Sequence, residues 1–288
     1  MERVETIPHL PARRPETHKG DYGRVIVVGG SRGMAGAPCL CGRAALRSGA
    51  GLVTVAVPQS LYQIVAAKLT NCMTRPLPEA AGGIALRDFE AVREFLESAD
   101  VLAVGPGAGR SAPTIAAITK IVAEVARPMV IDADGLFALA SASARQLAAK
   151  APRILTPHPG EMARLLGLPD TTAVQQDREG SALRAVERFG GVIVLKGHRT
   201  IVTDGQRLYV NNTGNPGMAT GGTGDVLTGV IAGLLAQGLS PFQAAQLGVY
   251  IHGLAGDIAR DRVGETSLVA TDVLRALPAA FLRLRQAE

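Results

Sequence analysis

Apolar stretches rich in β-branched residues recur along the chain, each followed by a segment with apolar positions at helical spacing. The stretches at 24–30 (RVIVVGG), 51–57 (GLVTVAV) and 101–107 (VLAVGPG) read as strands. Those at 128–135 and 153–161 each carry a strand that ends in a polar turn, and 190–210 reads as a strand followed by a hairpin turning at Asp204 and Gly205. Between them, 35–48, 59–69, 88–97 and 112–126 read as helices. The strands are continuously apolar, as expected when both faces are covered. Strand–helix alternation with short connections predicts an α/β fold: a mostly parallel sheet covered by helices on both faces, in a single domain. From Thr223 the pattern becomes helix after helix. One runs to Gly238, a second opens with Ser240 as N-cap, Pro241 at the first position and Gln243 closing a capping box, and a last follows Thr271. Residues 1–17, rich in Pro and Arg, read as an arm laid over a domain that spans 18–288.

Composition narrows this picture. The chain of 288 residues is 47% hydrophobic but only 3% aromatic, without Trp, so Ala, Val, Leu and Gly must fill the core in closely approaching layers. A net charge of +5 is spread over scattered Lys and Arg, and few aromatics are present to stack on bases. An ordinary solvated surface is therefore expected rather than nucleic-acid binding. Cys39, Cys41 and Cys72 lack a CxxC pair and indicate neither a disulfide framework nor a zinc site. The most apolar run, 226–236, is too short to cross a bilayer, and the first twenty residues lack the apolar core of a secretory leader. A cytoplasmic protein without membrane contact is the expectation.

Ligands of open α/β sheets bind outside the carboxyl ends of the strands. Five polar turns fall there: 29–37, 105–110, 132–135, 156–161 and 196–200. The first resembles a dinucleotide-binding turn, but its glycines at 29, 30, 33 and 36 break GxGxxG and no acidic residue closes the next strand. No GxxxxGK[ST] phosphate loop occurs either. The segment GGTGD, 221–225, is more informative. Gly221 and Gly222 permit a tight turn, a helix begins near Thr223, and its first amides form an anion site. Asp225 falls in that first turn, where it either accepts a proton from an attacking hydroxyl or complements the helix dipole. Lys196 either meets phosphate or marks the sheet edge. His158 and Glu161 either serve the site or cap a helix, and Asp132 and Asp134 either hold magnesium through water or cap the next turn.

Taken together, HKGDYGRVIVVGGSRGMAGAPCLCGRAALRSGAGLVTVAVP, GPGAGR, VIDADGL, LTPHPGEMARLLG, VLKGHRT and NTGNPGMATGGTGDVLTGVIAGLLAQG resemble the ADP-dependent NAD(P)H-hydrate dehydratase family, from about His18 to the last helices. The resemblance implies a ribokinase-like fold and repair of nicotinamide cofactor hydrated at C6 of its ring. The S epimer of NAD(P)H hydrate is returned to NAD(P)H, with ADP as co-substrate giving AMP and phosphate, and with Mg2+. It implies that Asp225 contacts the hydrate and acts as base. Ala37, Gly107 and His158 would line the hydrate site. Lys196, Gly197, His198, Arg199, Thr200 and Gly224 would hold the AMP portion, and Gly221, Gly222, Thr223 and Gly224 would form the anion hole. No residues are assigned to magnesium. A homotetramer is implied as well, and since many relatives carry an epimerase domain for which 288 residues leave no room, epimerisation is expected from a separate chain. The sequence departs from the family at Gly135-Leu136-Phe137, where many members have Ala-Leu-Asn, so a contact made by that Asn is in doubt at Phe137. The alternative is a small-molecule kinase of the same fold acting on a vitamin-precursor alcohol. A non-catalytic nucleotide binder would have no use for Asp225 in a full GGTGD.

Overall fold

The computed structural model describes residues 1–142 and 150–286. Its centre is a ten-stranded sheet: β1 (Glu2–Arg3), β2 (Arg24–Val28), β3 (Leu52–Pro58), β4 (Met73–Leu77), β7 (Val101–Val104), β8 (Met129–Ile131), β9 (Arg153–Leu155), β10 (Val192–Leu195), β11 (Ile201–Thr203) and β12 (Arg207–Val210). A separate pair, β5 (Glu79–Ala80) and β6 (Gly83–Ile84), forms a small hairpin. The main sheet runs in the order β1-β12-β11-β10-β9-β8-β7-β2-β3-β4, and only β11 runs against its neighbours. The hairpin turns at Asp204, whose carboxylate accepts from the Gln206 and Arg207 amides.

Alternate side chains of each strand enter different cores, as the period-two geometry requires. Val25, Val27, Val53, Val55, Val101 and Ala103 face one side. There they meet α1 (Gly36–Arg47), α9 (Thr223–Ala236), α10 (Pro241–Val263) and α11 (Ala270–Gln286). Ile26, Val28, Leu102, Val104, Met129 and Ile131 face the other side. That side is covered by α3 (Phe89–Glu97), α4 (Ala112–Glu124), α5 (Asp134–Ala140), α6 (Pro159–Leu166) and α8 (Arg178–Phe189). Two shorter helices, α2 (Tyr62–Lys68) and α7 (Thr171–Gln176), complete the set. The Ser240 capping box forms as expected, with Ser240 Oγ accepting from the Gln243 amide.

Small residues let the layers approach. A Cβ on Gly229 would lie 2.1 Å from the Cys41 carbonyl oxygen, and one on Gly233 would lie 2.6 Å from that of Ala45. Helices α1 and α9 therefore meet backbone to backbone, which only glycine permits at those two positions. The N-terminal arm does more than overlie the core: Glu2 and Arg3 pair with Arg207 and Leu208 and extend the sheet. Among the described residues, no helix is long and apolar enough to cross a membrane.

Candidate active site

The five polar turns follow β2, β7, β8, β9 and β10, which are consecutive in the sheet, so their carboxyl ends form one continuous rim. Helix α9 begins against this rim. Its N-cap, Gly222, has φ of +93°, a left-handed conformation that favours glycine. No side chain caps α9, whereas Ser240, Asp170 and His158 cap α10, α7 and α6. The first intrahelical bond runs from the Val226 amide to the Gly222 carbonyl. The amides of Thr223, Gly224 and Asp225 lie in the turn before it, as an anion-binding helix start requires.

Beneath this helix start lies a buried ion pair. Lys196 Nζ donates to Asp132 Oδ1 at 2.6 Å and lies 3.7 Å from Glu161 Oε2. Thr228 Oγ1, one turn into α9, donates to Asp132 Oδ2 at 2.8 Å. A Cβ on Gly224 would lie 3.4 Å from Lys196 Nζ, so a side chain there would crowd the ammonium. Burial works against the Lys196 charge, yet Asp132 and Glu161 outweigh it and raise its pKa.

Asp225 lies half-buried in the same first turn. Burial, then the charge of Asp132, push its pKa up from 3.8 to about 7, against the opposing pull of Lys196 and with further help from Asp134 and Glu161. Lys196 faces Asp132, Glu161 and Asp225, and the neighbouring carboxylates disfavour the ionised form of Asp225. Asp225, beside the open amides, is protonatable near neutrality.

The 196–200 turn, the 211–219 loop, the start of α9 and the middle of α10 enclose a cavity of about 580 Å³. Lys196, Gly197, His198, Arg199, Thr200 and Gly224 all line it, together with apolar Met218, Leu227 and Val249. The turn is braced from behind: Arg178 donates to the Leu195 and Lys196 carbonyls, and Thr200 Oγ1 to that of Gly197. The loop is tied to α10 by Asp257, which accepts from the Gly214 amide and from Asn215 Nδ2. His252 joins the two walls. Its Nε2 donates to the Thr223 carbonyl at 2.9 Å, and burial drives its pKa down to about 4, so the ring is neutral.

Ala37, Gly107 and His158 lie in the β2, β7 and β9 turns of the same rim. A Cβ on Gly107 would fall 3.0 Å from that of Ala37, so the β2 and β7 turns touch there. His158 Nδ1 accepts from the Gly160 and Glu161 amides, while the His158 amide donates to Glu161 Oε2. His158 thus caps α6, and Glu161 links it to Lys196. The structure gives both residues the capping role and a place in the network at once.

The two aspartates are tied to groups from other turns. Asp132 is committed to Lys196 and Thr228, and Asp134 accepts from the Gly109 amide at 2.8 Å and from Arg110 Nε at 2.7 Å. Neither leaves its carboxylate free, and the described residues contain no group of three His, Cys, Asp or Glu suited to a metal. Thr228, His252, Arg178 and Asp257 are components that sequence reading missed.

The sequence pattern described as NAD(P)H-hydrate dehydratase matches residues 25–279. The chain belongs to the NAD(P)H-hydrate dehydratase family. It is 48% identical over 282 residues to a bifunctional NAD(P)H-hydrate repair enzyme of Moorella thermoacetica, covering 96% of this chain and 52% of that protein. The chain spans about half the length of the repair-enzyme relatives it matches. Among solved structures, an ADP/ATP-dependent NAD(P)H-hydrate dehydratase from Bacillus subtilis, co-crystallised with ATP and Mg2+, superposes with a TM-score of 0.82 at 31% identity, covering 95% of this chain and 94% of that one. A ribokinase-like superfamily protein from Enterococcus faecalis gives 0.81 at 30% identity, covering 95% and 92%. The fold of the family is ribokinase-like, with the mostly parallel, two-sided sheet expected from the sequence.

Proposed function

We propose that this chain catalyses the ADP-dependent dehydration of the S epimer of NAD(P)H hydrate, giving NAD(P)H, AMP and phosphate, with 18–288 as the catalytic domain. The observation that carries the reading is Asp225: a carboxylate whose pKa is pushed up to about 7, in the same helical turn as three open amides and adjoining a nucleotide-sized cavity. A general base works best with a pKa near the working pH.

ADP occupies the cavity, its adenosine against Met218, Leu227 and Val249 and its phosphates toward Lys196 and the start of α9. The hydrate ring lies between Asp225 and the Ala37, Gly107 and His158 turns. Asp225 takes the proton of the C6 hydroxyl as its oxygen attacks the β-phosphorus, and the bond from that phosphorus to AMP breaks. The amides of 221–224 stabilise charge on the phosphoryl group in transit. Phosphate then leaves C6, helped by the ring nitrogen's lone pair, and loss of a proton from C5 restores the double bond. Mg2+ would travel with the nucleotide phosphates; the Bacillus relative was co-crystallised with ATP and Mg2+. A homotetramer, and an epimerase that supplies the S epimer, belong to the same reading.

The test is to mix the protein with NADH hydrate, ADP and magnesium and follow the return of dihydronicotinamide absorbance. Recovery that requires nucleotide and releases equal phosphate is expected. A stable phosphorylated product, or no recovery with either ADP or ATP, would refute the assignment.

A further inference from the structure

One side-chain cluster on the rim has no part in the chemistry above. Phe137, on α5, is half-buried, with the Arg110 guanidinium 4.7 Å from its ring centroid and that of Arg164 5.0 Å from it. Arg110 comes from the β7 turn, three residues beyond Gly107, and Arg164 from α6, six residues beyond His158. Chain geometry keeps each within about 10 Å of a residue assigned to the hydrate. Arg110 thus stands in a rim turn, and Phe137 and Arg164 on helices that open at the rim.

Its charge is incompletely matched. Asp134 holds Arg110 through Nε, which leaves the terminal nitrogens of that fork to other partners. Arg164 is exposed, and no salt bridge to it occurs among the described residues. Asp134 meets one of the two cations on the ring, Arg164 adds a second positive charge, and the planar guanidinium fork matches phosphate oxygens in pairs. The ring holds both guanidinium groups close at a modest gain in attraction.

We infer that Arg110 and Arg164, held on Phe137, bind a phosphate group of the dinucleotide substrate. This rests on the proposed dehydratase function. With the hydrated ring at Asp225, the remainder of the dinucleotide leaves past these two turns. It carries a pyrophosphate and, in NADPH hydrate, a further 2′-phosphate.

Arg164 is the residue to alter, because Arg110 contacts Asp134 close to the base. Steady-state rates are measured at saturating ADP and low salt for wild type, Arg164→Gln and Arg164→Lys, each on NADH hydrate and on NADPH hydrate. Arg164→Gln is expected to raise KM about tenfold while kcat stays within about twofold, the loss of one charge-assisted contact. Arg164→Lys keeps the charge and falls between. A KM rise confined to NADPH hydrate places the 2′-phosphate at the cluster, and an equal rise on both places the pyrophosphate there. Unchanged KM on both substrates, or a fall in kcat alone, overturns the inference while leaving the dehydratase reading intact. A wild-type protein without turnover refutes the function itself, and the inference with it.

Discussion

Asp225→Asn separates stability from catalysis at a single atom pair. The rise of the Asp225 pKa from 3.8 to about 7 means that the folded protein holds this carboxylate less willingly ionised than the unfolded chain does. Such a group stabilises the fold only while it is protonated. Its ionisation penalty is absent below the unfolded pKa, grows as pH rises from about 4 to about 7, and is constant above. The full shift corresponds to about 4 kcal/mol, and the partial exposure of the side chain reduces this to about 2 kcal/mol. Asn has the same shape and no charge to desolvate. Thermal unfolding of wild type and Asp225→Asn, scanned from pH 5 to pH 8, should show the variant more stable at pH 8, with an advantage that shrinks as pH falls. Turnover should drop by about 10²–10⁴-fold in the same variant, while ADP still protects both proteins against unfolding. A variant less stable than wild type at pH 8, or an advantage that does not change with pH, would refute the claim that Asp225 is held against its electrostatic preference. Near-normal turnover would remove it from the base role.

For the same reason, kcat/KM of the wild type should fall about tenfold per unit as pH drops below about 7, since protonation removes the base; a profile flat from pH 5.5 to 8 would contradict this. Lys196→Met strands Asp132 without its ammonium and should cost about 3–5 kcal/mol in urea unfolding, part of which Asp132→Asn restores in the double variant. Equal loss in the single and double variants would show that the pair does not act together. Gly222→Ala forces a side chain into a left-handed position, 2.7 Å from Leu40 Cδ1. It should destabilise by about 1–2 kcal/mol and lower turnover more than ADP binding, read by urea midpoint and calorimetry.

The sheet was legible because its strands are buried on both faces and therefore read as unbroken apolar runs. Strand β4 was not, since Met-Thr-Arg-Pro-Leu lies on the open edge, half-exposed, where Pro76 lacks no needed donor. Nor was β1, whose two exposed residues carry no pattern at all. In the site, the helix start at Gly222 and the base in its first turn follow from local spacing alone. The Lys196–Asp132–Thr228 contacts do not, because their members stand 64 and 96 residues apart and meet only once strand order is known. His252 gave a faint signal, one imidazole in an otherwise apolar helix face, without indicating the Thr223 carbonyl as its partner. Asp132 and Asp134 read as magnesium holders or turn caps, and the cations they meet, Lys196 and Arg110, come from other turns.

The contact of Gly229 and Gly233 with the backbone of α1 has a mechanical consequence. Asp225 stands at the head of α9 and Ala37 at the head of α1, and the two rods are seated on each other without intervening side chains. Nothing compressible separates them. A bulkier residue at either glycine would wedge the rods apart and translate the base away from the substrate's reacting carbon, about one helical turn from Gly229 and about two from Gly233. The gauge of the active site is therefore set inside the core, by the absence of a methyl group.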